Sequence, residues 1–275
     1  MGSNWMKLLD GKELAGFIKE RQAKDVRRLH ASKISPKLAI VQVKDDPVIN
    51  TYIRLKKQYG ADIGIGVEVH TPKQTEVPKL LNKLSIDESV HGIIVQLPLA
   101  DPSQTDEIVN MVAPQKDVDA LGEKAKFDPA TPMAILWLLA GYGVELKNKK
   151  ILLIGKGKLV GKPLEKILKN SGYDVEVIGR EVKDLAEHTK NADIIITATG
   201  SPAVLYSNMI KQGAVVVDAG VASEEGKTVG DLSPEVYKRE DLTITPAKGG
   251  VGPLTVCALF ENVIRAAQNL PRTKS

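Results

Sequence analysis

The stretch Lys150 to Pro163, KILLIGKGKLVGKP, constrains the fold more than any other. Its apolar run Ile151-Leu152-Leu153-Ile154 is short and β-branched enough for a buried parallel strand. The run stops at Gly155; Gly157 and Gly161 follow, and Leu164 to Leu168 then carries helical spacing. Strand, glycine turn and helix together aim free backbone N–H groups and a helix N-terminus at a phosphate. Glycine suits such a turn because a Cβ keeps the backbone away from a pyrophosphate. The spacing is GxGxxxG, one residue longer than the common dinucleotide fingerprint, and a glycine-rich turn with no ligand also satisfies it.

A second strand, Val175 to Ile178, comes one helix later, as a βαβ unit requires. In an NAD site an acidic residue usually ends that strand and accepts from the ribose 2′-OH. Here the strand ends Gly179-Arg180, and Lys156 lies inside the glycine turn. Two cations where a carboxylate is usual point to a 2′-phosphate, hence NADP, with a preference of about a hundredfold. Glu181 stands beside Arg180 and opposes that preference.

At 275 residues the chain is near the size at which a single core splits, so two domains are expected. Hydrophobic residues at 43% and charged residues at 26% describe an ordinary globular chain. The net charge of +4 comes from no basic block and suits anionic small molecules better than nucleic acid. The single cysteine, Cys257, rules out an internal disulfide and suits a reducing cytoplasm. No apolar stretch reaches the ~20 residues of a membrane span, and no signal peptide is visible.

The pattern predicts helices over 12–29, 47–61, 77–84 and 103–109, and strands over 38–43, 67–69 and 92–97. This β-α alternation implies a first doubly wound parallel sheet. Thr131-Pro132 reads as an N-cap with proline at the first helical position, opening a helix over 133–142. The second sheet continues with 193–198, 214–217 and Thr243-Ile244, and a last helix covers 253–267.

In an open α/β sheet, chemistry collects at the carboxyl edge of the strands. Tyr52 and Lys56 are four residues apart and share one helix face, where a ring can stack on a flat ligand beside a proton-transferring amine; a solvated face explains them too. Gln96 ends the strand GIIVQL, within reach of an ammonium or a ligand. In Asp117-Val118-Asp119, one carboxylate can accept a paired donor fork, or the loop is an Asx turn. Gly249-Gly250-Val251-Gly252-Pro253 implies close backbone approach, to a ligand or to another strand. The histidines, His30, His70, His91 and His188, have no metal-ligand spacing and read as surface or edge residues, so no metal is expected.

Together these stretches resemble the bifunctional methylenetetrahydrofolate dehydrogenase/methenyltetrahydrofolate cyclohydrolases, the FolD-type family. Its Tyr and Lys four residues apart match Tyr52 and Lys56, its VQLPLP segment matches Val95 to Leu99, and its KDVDG loop matches Lys116 to Asp119. Its PxTP connection matches Pro129 to Pro132, and its GRSxxVGxP turn matches Gly155 to Pro163. Val229-Gly230-Asp231 matches its VGD, and Thr245 to Thr255 matches TPxPGGVGPxT. The matches run in order through nearly the whole chain.

The resemblance implies an α/β protein of two doubly wound domains with a cleft between them. Residues 1–120 plus 254–275 would form the catalytic, folate-binding domain, and 121–253 a Rossmann-like NADP-binding domain. Lys56 is implied as the acid/base group, with Gln96 tuning it, Tyr52 stacking on the folate and Asp119 anchoring the pterin donors. Gly252 and Pro253 would pack near the folate. Gly155, Lys156 and Gly157 would hold NADP, with Arg180 on the 2′-phosphate and Val221 near the nicotinamide. A homodimer acting on tetrahydrofolate derivatives is implied, with no nucleic-acid or membrane partner. The sequence departs from the family at Ile49, Ser85, Ala100, Ala120 and Lys248, where Ser, Asn, Pro, Gly and Pro are usual. Another two-domain NADP dehydrogenase would explain the architecture but not Tyr52, Lys56, Gln96 and Asp119 together. A relative with one activity, or with ligand binding alone, is the other alternative.

Overall fold

The computed structural model describes residues 7–269 apart from 180, 183, 221, 225 and 226, with the backbone alone at 222–224 and 227–228. In chain order the elements are β1 (Lys7–Leu8), α1 (Gly11–Ala31), β2 (Lys37–Gln42), α2 (Pro47–Ile63), β3 (Gly66–His70), α3 (Val77–Ile86) and β4 (Gly92–Gln96). Then come α4 (Thr105–Val109), α5 (Ala130–Gly141), β5 (Ile151–Ile154), α6 (Gly161–Asn170), β6 (Val175–Ile178), α7 (Leu185–Thr189) and β7 (Ile194–Thr197). The chain closes with β8 (Val215–Asp218), β9 (Ala222–Glu224), β10 (Lys227–Val229), β11 (Thr243–Ile244) and α8 (Val251–Asn269). These elements form two compact units: residues 7–15 with Thr131–Thr255, and Gly16–Ala130 with residues 256–269.

The second of these holds a three-stranded parallel sheet ordered β3-β2-β4. Its central strand carries an unbroken apolar run, Leu38 to Val41, all buried, as a strand covered on both faces must be. Ala39, Val41, Ile93 and Val95 pack with Val77, Leu81 and Leu84 of α3 and with Ile108 and Val109 of α4. Helix α2 is bounded by its own sequence. The Asp46 carboxylate accepts from Val48 N at 2.9 Å and Ile49 N at 3.3 Å, and Pro47 occupies the first turn, where no N–H is needed. Its end is set by Gly64, whose φ of 85° closes the helix in the left-handed conformation.

The other unit carries a six-stranded parallel sheet ordered β1-β11-β8-β7-β5-β6. Ile151 to Ile154 of β5 are all buried, and full burial contributes about 1.5–3 kcal/mol for each such side chain. Because β5 pairs with β6 on one side and β7 on the other, the strand order reverses there. The carboxyl edge at such a switch point is where open α/β sheets bind ligands. A separate antiparallel ribbon pairs β9 with β10.

Three local expectations are corrected. Residues before 120 were all expected in the N-terminal domain, yet β1 pairs with β11, Lys7 opposite Thr243 and Leu8 opposite Ile244, and completes the other sheet. Helix α5 starts at Ala130 and takes Thr131-Pro132 into its first turn, where the proline's missing N–H costs nothing, so Thr131 is no N-cap. The helix expected over 103–109 is a 3₁₀ turn at Pro102–Gln104 followed by α4. The Leu97–Pro98 peptide, directly after β4, is cis. No helix among the described residues is long and apolar enough to cross a membrane.

Candidate active site

In the three-stranded unit, Lys56, Gln96 and Asp119 come together at the carboxyl edge of the sheet. Lys56 lies half-buried on α2, and its Nζ donates to Oε1 of Gln96, the last residue of β4, at 2.7 Å. The Gln96 amide donates in turn to Leu97 O at 3.1 Å, which fixes which end of the amide faces the amine. Burial lowers the Lys56 pKa from the usual lysine range, and the Asp119 carboxylate opposes that fall. Burial raises Asp119, and the Lys56 charge opposes the rise. An amine of lowered pKa, held by a neutral acceptor and facing a carboxylate, gives up its proton more readily than an ordinary lysine. Tyr52, one helical turn before Lys56, leaves 39% of its surface exposed for a flat ligand.

The loop that carries Asp119 is pinned on both sides. Lys116, only 4% exposed, extends its Nζ to the carbonyls of Leu84 (3.1 Å) and Asp87 (2.7 Å), so it caps the C-terminal end of α3. The Asp117 carboxylate accepts from Gly122 N at 2.8 Å and Leu121 N at 3.4 Å. Burial pushes its pKa up to about 6. Asn262 of α8 donates through Nδ2 to Val118 O and Asp128 O, both at 2.9 Å. The two aspartates are thereby separated in role: Asp117 braces the loop by accepting from Leu121 N and Gly122 N, and Asp119 faces the amine. Ala120, where the family has glycine, adopts a φ of 55°.

In the six-stranded unit, the glycine turn follows β5 as expected. Gly155 has a φ of 121°, and a Cβ there would lie 2.4 Å from Ala198 O. A Cβ on Gly161 would lie 2.0 Å from Gly155 O, so α6 starts directly against the turn. At Gly157 the added atom would meet nothing within 4 Å. The turn borders a cavity of about 490 Å³ lined by Gly155, Lys156, Gly157, Gly179, Thr199 and Ser201, with apolar wall from Val182, Leu185 and Val204. Asp231, fully buried, accepts from Thr199 N at 2.7 Å and Ser201 N at 3.2 Å and so holds the loop after β7. A bare backbone turn, a helix N-terminus and a part-apolar slot fit the phosphates and adenine of a dinucleotide.

Gly252 and Pro253 lie in the first turn of α8, in the same unit as the glycine turn. The glycines before them approach backbone: Lys12 N donates to Gly249 O at 2.9 Å, and a Cβ on Gly11 would lie 1.7 Å from Gly250 O. Arg180 and Val221 lie outside the described residues. His91, expected at the surface or an edge, is buried, and its Nδ1 accepts from Lys37 N at 3.3 Å.

The sequence profile of the tetrahydrofolate dehydrogenase/cyclohydrolase catalytic domain matches residues 9–119, and that of the same family's NAD(P)-binding domain matches residues 129–270. The chain belongs to the tetrahydrofolate dehydrogenase/cyclohydrolase family. Among its relatives, the bifunctional protein FolD of Nautilia profundicola is 36% identical over 281 residues, covering 97% of this chain and 99% of the relative. The crystal structure of the FolD methylenetetrahydrofolate dehydrogenase/cyclohydrolase of Campylobacter jejuni superposes with a TM-score of 0.91 at 38% identity, covering 96% of this chain and 99% of that one. The Trypanosoma brucei methylenetetrahydrofolate dehydrogenase-cyclohydrolase, solved with NADP cofactor and inhibitor, gives 0.90 at 27% identity, covering 98% and 99%.

Within this tetrahydrofolate dehydrogenase/cyclohydrolase, Ile49 is buried in the first turns of α2, so an apolar side chain fills the place of the usual serine. Lys248 is exposed. Sequence reasoning passed over Lys116, Asp231 and Asn262 as supporting residues. The first two stand inside recognised motifs, which was their signal; Asn262 had none, because its partners lie more than 130 residues away.

Proposed function

We propose that this enzyme oxidises 5,10-methylenetetrahydrofolate with NADP to the 5,10-methenyl cation and hydrolyses that cation to 10-formyltetrahydrofolate. The observation that carries the reading is the Lys56–Gln96–Asp119 constellation, in a chain whose other unit bears the dinucleotide turn. Bound at Gly155, Lys156 and Gly157, NADP supplies a hydride acceptor for the methylene carbon. Asp119 accepts the pterin's fork of ring and amino N–H donors with two carboxylate oxygens. Tyr52 stacks on the ring, and Gly252 and Pro253 are assigned to the folate by resemblance. Arg180 on the 2′-phosphate and Val221 at the nicotinamide end are assigned in the same way.

In the hydrolytic half, water adds to the electrophilic methenyl carbon and loses a proton to Lys56. The hydroxyl oxygen of the adduct then forms the formyl C=O and releases its proton to solvent as the ring C–N bond breaks, and Lys56 returns its proton to the departing nitrogen. Gln96 aims the amine by accepting from Nζ, and Asp119 keeps part of the positive charge that burial would expel. A homodimer in the cytoplasm belongs to the same proposal, and sedimentation velocity tests the dimer. The function is tested by supplying methylenetetrahydrofolate and NADP and following NADPH and methenyl absorbance; absence of both signals would refute it.

A further inference from the structure

Lys156 does not stand alone in the phosphate turn: its Nζ is ion-paired with Glu181 Oε1, 25 residues along the chain. Both side chains border the cavity and are about half exposed, 47% for Lys156 and 59% for Glu181. The bond from Lys156 holds the Glu181 carboxyl below its ordinary range. Gly179 makes the room for this pairing, since a Cβ there would lie 2.4 Å from Glu181 Oε2. The carboxylate thus folds back over the exit of β6.

A lysine in the turn suits a ribose 2′-phosphate, whereas a carboxylate beyond the second strand suits a ribose 2′-hydroxyl. Here both are present and each engages the other. We propose that Glu181 is a specificity-determining residue that competes with the 2′-phosphate of NADP for Lys156 and so narrows the preference for NADP over NAD. The inference rests on the reading of the turn as the NADP site. A 2′-phosphate carrying about −1.5 to −2 charges must displace one carboxylate and then lie beside it; a hydroxyl does neither. With Glu181 present, the hundredfold preference expected from the cations alone falls to about tenfold.

The test is calorimetric titration with 2′,5′-ADP and with 5′-AMP, which differ only by the 2′-phosphate. The unmodified chain, Glu181→Gln, Lys156→Gln and the double variant are compared at low and at high salt. The affinity ratio for the phosphorylated ligand is expected to rise about tenfold in Glu181→Gln and to fall in Lys156→Gln. In the Lys156→Gln background, Glu181→Gln should change the ratio clearly less than it does when Lys156 is present, because the lysine the two anions compete for is gone. High salt should shrink every difference. A ratio unchanged or lowered by Glu181→Gln would overturn the proposal. So would an equal rise with and without Lys156, which is plain repulsion rather than competition. Failure of both ligands to bind any form would overturn the nucleotide reading itself, whereas binding with an unmoved ratio would overturn only the role of Glu181.

Discussion

Replacing Lys56 by methionine removes the amine and keeps an unbranched side chain of good helix propensity, so α2 should persist. Lys56 Nζ donates to Gln96 Oε1 at 2.7 Å, and losing the donor to a half-buried acceptor costs about 1 kcal/mol. Asp119 also loses its cation and moves further up in pKa, so the total should stay near 1–2 kcal/mol of stability. For a chain of this size that lowers Tm by only a few degrees. The hydrolytic rate should fall far more, by roughly 10²–10⁴, the usual contribution of a positioned acid/base group. That is about 2.7–5.5 kcal/mol of barrier. The assay is the decay of methenyltetrahydrofolate absorbance, run beside a calorimetric titration with NADP and a thermal melt. NADP binding should survive. Hydrolysis within about threefold of the unmodified enzyme would refute the acid/base role, because that is far below the acid/base contribution.

Asp119→Asn removes the charge that raises the Lys56 pKa, so the pH at which hydrolysis levels off should move to lower pH, and folate affinity should drop more than NADP affinity; an unmoved pH profile would break the link. Asp117 has a folded pKa of about 6 against 3.8 when free, so its contribution is fully present below pH ~3.8 and is lost as pH rises through 6. The stability of the unmodified chain relative to Asp117→Asn should therefore fall by about 2.4 kcal/mol between pH 4 and 7, read from urea midpoints at each pH. Ala120→Gly should stabilise by about 0.5–1 kcal/mol, since release of left-handed strain exceeds the extra entropy of glycine; a lower denaturation midpoint would mean that the Ala120 methyl packs usefully.

The second sheet was readable because Ile151 to Ile154, the glycine turn and the Leu164/Leu168 spacing each speak for themselves over a few residues. The two-residue strand β1 was not, because its existence depends on β11, more than 230 residues later. Thr131-Pro132 has the local chemistry of a helix start, and the structure extends α5 only to Ala130 before it. At the candidate site, the i, i+4 spacing of Tyr52 and Lys56 and the strand-end position of Gln96 were visible in the sequence, and the structure joins Lys56 to Gln96. The residues alone left open which aspartate of the KDVD loop serves the site, and the resemblance implied Asp119. Backbone donors from Leu121 and Gly122 engage Asp117, while Asp119 is the carboxylate that feels the Lys56 charge. The Lys156–Glu181 pair was equally hidden, since only the fold brings the turn after β5 beside the exit of β6.

The most direct test follows one reaction mixture through both steps: purified protein, methylenetetrahydrofolate and NADP, with NADPH and methenyl absorbance recorded together. NADPH should accumulate while the methenyl signal rises and then decays to 10-formyltetrahydrofolate, and the Lys56→Met variant should lose the decay. A methenyl signal that decays no faster with enzyme than in buffer would contradict the hydrolytic role of the Lys56–Gln96–Asp119 site, and no NADPH at all would contradict the dehydrogenase.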